Sequence, residues 1–384
     1  MAGTDSPRED AVDPTQDFDE PFGEEYVGAY YTFVAESIDL ARFIDAFSRR
    51  SAESTASLTE SIYEYRTIHG RTFQASKTTE YWAPNDEKQN EALDVTSVPT
   101  SLRTPDPYAA DPFSRSHHYL TLLQDDKLFL APIGDDPQRI LDIGTGTGIW
   151  AMYESSPSPP CLPPLLETNL TPPPRDVADE YPSAEVIGTD ISPIQPSWVP
   201  PNCRFQIDDA QLPWTWPPST FDYIHIRNLH GSIADWPALY AQCFTHLVPG
   251  GWVEDLEFDI RTQSDEVGPD HVYNQWNRLF AECGERMGRT FQISHKMRQY
   301  IPEAGFVDVV EKKWKVPIGG WSEDPKLKRV GLYTLLFLDE SLTGFALFML
   351  QEIMGWKIEE IHALVAKMRR ALRQWRELRP YYEV

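Results

Sequence analysis

Residues 139–150, Arg-Ile-Leu-Asp-Ile-Gly-Thr-Gly-Thr-Gly-Ile-Trp, constrain this chain more than any other stretch. Their first half is a short apolar run of the kind that forms a buried parallel strand. Gly144, Gly146 and Gly148 follow at alternate positions, so the backbone can turn tightly and come close to a ligand. Ile149 then opens a helix, and the unpaired N–H groups of its first turn face the loop, which suits a nucleotide-type ligand. A dinucleotide fingerprint requires G-x-G-x-x-G; here the glycines fall as G-x-G-x-G, with Asp142 two places before the first. A plain glycine turn after a strand would read the same way, so the rest of the chain has to decide.

Composition narrows the partners. The 384 residues suffice for one large or two ordinary domains, and 12 Trp, 17 Tyr and 18 Phe support a substantial core. A net charge of −25 supplies no basic stripe for a phosphate backbone, which argues against nucleic acid. It leaves a basic protein or a neutral small molecule open. Cys161, Cys203, Cys243 and Cys283 lie far apart without framework or metal spacing, as reduced thiols of an intracellular protein do. Residues 1–25 carry nine acids and one Arg, the opposite of a secretory leader. The apolar run Leu332–Leu350 contains Asp339, Glu340 and Gly344, so it reads as a packed helix and not as a membrane span. A soluble chain of the cytoplasm or nucleus is expected.

Four regions follow from the pattern. Residues 1–35 read as a disordered acidic tail. Residues 36–120 read as a cover of helix and loop. It begins with Leu40, Phe43, Ile44 and Phe47 on one helix face and includes a proline-rich loop over 97–116. Residues 121–320 form the core, and 321–384 add helices that pack on it. Within the cover, Tyr63–Phe73 and Tyr81 interleave aromatics with Arg66 and Arg71, which reads as a packing layer or as one wall of a site. His117 and His118 point apart on a helix and cannot share a metal ion. No metal site is expected.

After the glycine loop, Ala184–Asp190, Cys203–Ile207, Phe221–Arg227 and Trp252–Phe258 read as strands, and Trp236–Leu247 as a helix between the last two. Val272–Met287, a sixth strand within 304–310, and helices near 325–353 and 358–378 follow. Alternating strands and helices predict an α/β, Rossmann-like, mostly parallel sheet. Such sheets bind ligands at the carboxyl ends of their strands. The polar candidates fall at those ends: Asp190 with Ile191, Asp208-Asp209-Ala210, then Arg227-Asn228 with His230 just beyond.

The glycine loop with its acidic residue resembles motif I of class I S-adenosylmethionine-dependent methyltransferases. The longer matches E-Y-P-x-A-x-V-I-G-T-D-I-S-P-I-Q-P, V-P-P-N-C-R-F-x-I-D-D-A, F-D-Y-I-H-I-R and L-V-P-G-G-W-V-E are similar to the fungal LaeA-like methyltransferases. So are the upstream Y-R, H-G-R and P-N-D-E. The resemblance spans roughly residues 60–380 and implies the class I fold and S-adenosylmethionine as cofactor. It places Asp142, Gly144, Thr145, Gly146 and Gly148 beside the cofactor's amino-acid part, Asp190 and Ile191 at the ribose, and Asp209 and Ala210 at the adenine. Arg227 and Asn228 then border cofactor and acceptor. It implies no acceptor. Asn228-Leu229-His230 is not the N-P-P-Y of base or glutamine N-methylation. His230 is the best-placed general base, or else a structural histidine at a strand end, and Tyr65 and Tyr81 are weaker candidates for closing the pocket. Two function classes stay open: a methyltransferase acting on a small metabolite or a protein, linked to secondary metabolism, and a cofactor-binding regulatory scaffold working through a protein partner.

Two further expectations concern chain layout. The chain stops at Pro380–Val384, where relatives run on into a last antiparallel strand, so that strand is expected to be missing or very short and an edge unpaired. Residues 153–175 carry eight prolines and interrupt the helix that Gly148–Met152 begins. Removing these 23 residues shortens the step from Gly148 to Asp190 from 42 positions to 19, close to the ~20 of an ordinary unit. The codons of Met152-Tyr153 must read ATGTAY, a donor-like sequence. Leu170-Thr171 permits the branch sequence CTAAC and Arg175 permits an AG acceptor. The stretch therefore reads as a translated in-frame intron, and 97–116 as a weaker second case; a genuine surface loop is the alternative.

Overall fold

The computed structural model describes residues 30–34, 65–76, 78–94, 115–152, 176–197 and 199–384. Strand β1 (Tyr30–Val34) precedes a hairpin of β2 (Arg66–Ile68) and β3 (Arg71–Phe73), then helices α1 (Glu87–Asp94) and α2 (Arg115–Leu123). The core runs through β4 (Arg139–Ile143), α3 (Val177–Glu180), β5 (Glu185–Asp190), β6 (Cys203–Ile207), β7 (Phe221–Arg227), α4 (Trp236–His246) and β8 (Leu247–Leu256). Strand β9 (Asp259–Gln263), helices α5 (Val272–Met287) and α6 (Met297–Glu303), and strands β10 (Val307–Lys312) and β11 (Lys315–Pro317) come next. Helices α7 (Pro325–Leu347), α8 (Ile358–Arg373) and α9 (Trp375–Leu378) lead to β12 (Tyr381–Glu383).

The main sheet has the order β10-β1-β8-β7-β4-β5-β6, and its five strands from β8 to β6 are parallel. Their apolar runs are buried on both faces, as helix-covered parallel strands require; Ile140, Leu141, Val186, Ile187, Tyr223, Ile224 and Ile226 are almost wholly inaccessible. The chain enters at β4, winds outward through β5 and β6, then returns to β7 on the other side of β4. That reversal opens a crevice at the strand ends.

Local signals explain the helix boundaries. Asp235 caps α4 by accepting from the Ala238 N–H at 3.0 Å, with Pro237 in the first turn where no donor is lost. Gly288, at φ +65°, ends α5 in the left-handed conformation. Asp324 caps α7 by accepting from the N–H groups of Lys326 and Leu327. Together with the π-turn after it, α7 is the one described helix long and apolar enough to cross a membrane. Its Val330, Tyr333, Phe337, Leu342 and Leu347 are instead buried, and the helix packs against α2 and α8.

Both ends of the chain depart from expectation. The acidic tail assigned to 1–35 ends in a strand: β1 lies antiparallel between β8 and β10, with Thr32 opposite Glu254 and Val310. The run Tyr-Tyr-Thr-Phe-Val is built from residues that favour strands, a signal masked by its acidic neighbourhood. At the other end β12 is three residues long and stays out of the main sheet, pairing with β11 and β9. The C-terminal strand is thus missing from the main sheet as expected. The edge expected to stay unpaired is closed by the N-terminal segment, because any strand-forming run with the right reach satisfies the β8 and β10 ladders. The helix expected after residue 36 and residues 97–114 lie outside the described residues, while Arg115 and Ser116 already belong to α2.

The seam at the proline-rich stretch is informative. One helical turn follows the glycine loop, closed by Met152 N–H to Gly148 O at 2.9 Å. Across the 23 intervening residues, Val177 N–H donates to Trp150 O at 3.4 Å and Ala178 N–H to Ala151 O at 3.1 Å. Renumbered without those residues, Val177 and Ala178 become positions 154 and 155. Both bonds then span four residues, the α-helical rung. Glu180 N–H to Asp176 O and Tyr181 N–H to Val177 O continue the same ladder. Two short pieces therefore dock as one helix.

Candidate active site

The loop after β4 is held from behind. Asp142 is buried and accepts from Thr145 Oγ1 at 2.6 Å and from His225 Nδ1 at 2.7 Å. Burial pushes the His225 imidazole below its usual value in spite of Asp142, so the neutral ring donates to the carboxylate and stacks on Trp150 at 3.8 Å. Asp142 thus shapes the loop and does not line the cavity in front of it. Gly148 is likewise outside the lining: a Cβ there would meet Phe205 Cζ at 2.3 Å, so this glycine answers to packing.

In front of the loop, a cavity with about 1100 Å³ of non-atom space, part of it open to solvent, is lined by Gly144, Thr145, Gly146, Asp190, Ile191, Asp209, Ala210, Arg227 and Asn228. Gly146 sits at φ +59°, and its N–H donates to Asp190 Oδ2 at 2.9 Å. The other Asp190 oxygen accepts from Ser192 N–H at 2.8 Å. Each oxygen keeps a further acceptor site, which is what a pair of ribose hydroxyls requires. Burial raises the Asp190 carboxyl to about 6, against the pull of these two N–H groups. Asp209 accepts from Gln211 N–H at 3.1 Å and from Thr79 Oγ1 at 2.6 Å. Arg227 Nη1 lies 3.3 Å from His117 Nδ1, and Asn228 occupies the left-handed region at φ +61°.

His230 is absent from this cavity. It belongs to a second one, with about 980 Å³ of non-atom space, whose walls include the rings of Trp82, Phe258, Trp276, Phe280, Phe337 and Phe345. Glu257 accepts from the backbone N–H of Leu229 at 2.6 Å and of His230 at 2.9 Å, and from His230 Nδ1 at 3.0 Å. That bond places the imidazole proton on Nδ1 and leaves Nε2 as the basic nitrogen. Burial holds Asp255 well above the usual carboxylate range, with the charge of Glu257 adding to it. The two cavities share Tyr81, Pro84 and Asn228. Burial raises the Tyr81 phenol, so it stays neutral between them. Tyr65 lines neither cavity.

Sequence reasoning left out Thr79, Asn85, Asn90 and His117 as cofactor-cavity wall, and the six rings named above for the second cavity, of whose lining it named Tyr81, Asn228 and His230. Of the former, only Asn85 falls within an upstream match, P-N-D-E. Those six rings come from positions between 82 and 345, so no local spacing announces them.

The fold, the glycine loop and the carboxylates at the ends of β5 and β6 define a class I S-adenosylmethionine-dependent methyltransferase. The family described as "Methyltransferase domain" matches residues 115–311, just over half of the chain, and the chain belongs to it. Within it the relatives are fungal and LaeA-like. "Methyltransferase pytC" of Aspergillus terreus is 34% identical over 84% of this chain and 86% of its own length. "Secondary metabolism regulator LAE1" of Cochliobolus heterostrophus is 31% identical over 79% of this chain and 88% of its own. "Protein-methionine methyltransferase laeA" of Emericella nidulans is 28% identical over 80% and 71%. S-adenosylmethionine is the cofactor.

Proposed function

We propose that the protein methylates a small, largely apolar, ring-bearing molecule at a hydroxyl, inside the cytoplasm or nucleus, as a step of secondary metabolism. The observation that carries this reading is the pairing of cavities: a more polar one suited to the cofactor adjoins, across the shared Tyr81 and Asn228, an aromatic one that His230 also lines. When bound, S-adenosylmethionine supplies an electrophilic methyl on its sulfonium and leaves as a neutral thioether. The protein's own work is to hold, orient and remove one proton. The rings of Trp82, Phe258, Trp276 and Phe280 exclude water and grip an apolar acceptor. His230 Nε2 takes the hydroxyl proton as oxygen becomes methylated, and Glu257, bonded to Nδ1, stabilises the imidazolium that results. The three buried described cysteines are free thiols, in keeping with an intracellular site.

The alternative, a regulatory scaffold acting through protein partners, has in its favour the names of the secondary-metabolism regulators among the relatives. Incubation with methyl-labelled cofactor and a fungal metabolite extract separates the two. Label in a small apolar product, lost by ~10²–10⁴-fold in His230→Ala, is expected. Label confined to protein, or transferred nowhere, overturns the proposal.

A further inference from the structure

The cover between β2 and α1 holds a motif that the reaction above leaves unused. Asp86 accepts two bonds from Arg71, from Nε at 2.5 Å and Nη2 at 2.8 Å, and further bonds from the N–H groups of Thr72 and Gln89. This ion pair is largely buried, and Arg71 holds the Asp86 carboxyl below the usual range against the opposing effect of burial. Its consequence lies next door. Asn85 N–H donates to Thr72 O at 2.9 Å, and Thr72 Oγ1 donates to Asn85 Oδ1 at 2.9 Å. The braced Asn85 amide therefore has its oxygen taken and its nitrogen left over.

Three amide atoms on the cofactor cavity wall are buried with no hydrogen-bond partner among the described residues: Asn85 Nδ2, a donor, and Asn90 Oδ1 and Asn228 Oδ1, both acceptors. Leaving such groups unpaired is costly, and native structures do so rarely without a ligand to meet them. Their position is not arbitrary. Thr79, earlier on the same cover, bonds Asp209 at the end of β6, which is the adenine end. Pro84 and Tyr81 stand with Asn228 on the wall shared with the aromatic cavity, at the end of β7. Asn85 and Asn90 follow Pro84 and line the same cavity as the glycine loop and Asn228.

We propose that Asn85 and Asn90 bind the zwitterionic amino-acid end of S-adenosylmethionine: Asn85 Nδ2 donates to its carboxylate, while Asn90 Oδ1, with Asn228 Oδ1, accepts from its ammonium. One donor and two acceptors match a carboxylate beside an ammonium, and a neutral amide set distinguishes this end from the anionic ribose contact at Asp190. The Arg71–Asp86 pair then acts as a positioning brace, and Gly344 of α7 lets it seat, since a Cβ there would lie 2.8 Å from Pro84 Cγ. The inference concerns the cofactor alone and does not depend on the acceptor.

The test is calorimetry of the full chain with two probes, S-adenosylhomocysteine and 5′-methylthioadenosine, which lacks the amino and carboxyl groups. Asn85→Ala and Asn90→Ala are each expected to weaken S-adenosylhomocysteine roughly tenfold or more. Both should leave 5′-methylthioadenosine within about twofold of wild type, a split that a merely structural role would not produce. Asn90 meets the brace only through its backbone N–H, which donates to Asp86 O at 2.9 Å and survives the substitution, so its variant stands if Asn85→Ala folds poorly. Equal losses for both probes in Asn90→Ala, or undiminished S-adenosylhomocysteine binding, overturns the assignment.

Discussion

The two cavities are built in opposite ways. The cofactor cavity is the more polar of the two and takes its floor from four consecutive strand ends, β4 to β7, so each group of that floor follows its strand within a few residues, while Thr79, Asn85, Asn90 and His117 reach it from the cover. The aromatic cavity is largely apolar and is assembled from the cover, β9, α5, α7, α8 and β12, segments drawn from positions 81 to 382. One is set mainly by backbone topology and hydrogen bonds; the other is set mainly by packing, with His230 fixed by its bonds to Glu257. The difference teaches where variation is tolerated. Rings in a packed wall can be exchanged for others of similar volume, which reshapes the aromatic cavity without touching the strand ends of the cofactor site.

The comparison sharpens first at Asp190. Its carboxyl is raised to about 6 by burial, and ribose hydroxyls are best accepted by the ionised form. Below that pH the group is protonated in the free protein, so cofactor affinity falls with acidity, by about tenfold per unit at the limit; above it affinity is flat. Asp190→Asn should weaken binding by ~1–3 kcal/mol at pH 8 and abolish the slope. Calorimetry across pH 5 to 8 checks both, and the aromatic cavity should contribute nothing to the slope. For stability the sign is opposite. Asp190 and Glu254, the latter at about 7 from burial, both have raised folded-state values. Their contribution is fullest below the unfolded-state carboxylate range and is lost as pH rises through 6 to 7.

A smaller effect is expected at the seam. Deleting Tyr153–Arg175 joins Met152 to Asp176 and makes the rungs from Val177 and Ala178 local instead of tertiary. Closing a 23-residue loop costs on the order of 1–3 kcal/mol, which the deletion recovers. The variant should melt a few degrees higher and bind S-adenosylhomocysteine at least as tightly. A deletion variant that fails to fold, or transcripts that all retain these codons, contradicts the reading as an in-frame intron.

What was legible follows the same division. The strands 203–207 and 221–227 and the helix 272–287 fall where periodicity puts them, and Asp190, Asp209 and Asn228 stand at strand ends that the α/β pattern predicts. Asp142 was read as a cofactor contact because spacing from the glycines cannot tell the front of a loop from its back; the partner that decides, His225, lies 83 residues away. The β1 strand was lost for a related reason. Five strand-forming residues are too few to outweigh an acidic context, and the slot that recruits them is made by β8 and β10, more than two hundred residues downstream. The aromatic wall was invisible for the same cause: buried rings carry no local signature that says which cavity they face.

The most direct test of divided labour fills one cavity and reads the other. Leu338 on α7 is only partly buried and lines the aromatic cavity but not the cofactor cavity, so Leu338→Trp adds bulk where the acceptor should sit. Calorimetry with S-adenosylhomocysteine and labelled-methyl transfer are measured on the same preparation. The account predicts cofactor affinity within about twofold of wild type, together with loss of the labelled small-molecule product. Cofactor binding lost in proportion to transfer, or transfer left intact with the cavity filled, would contradict it.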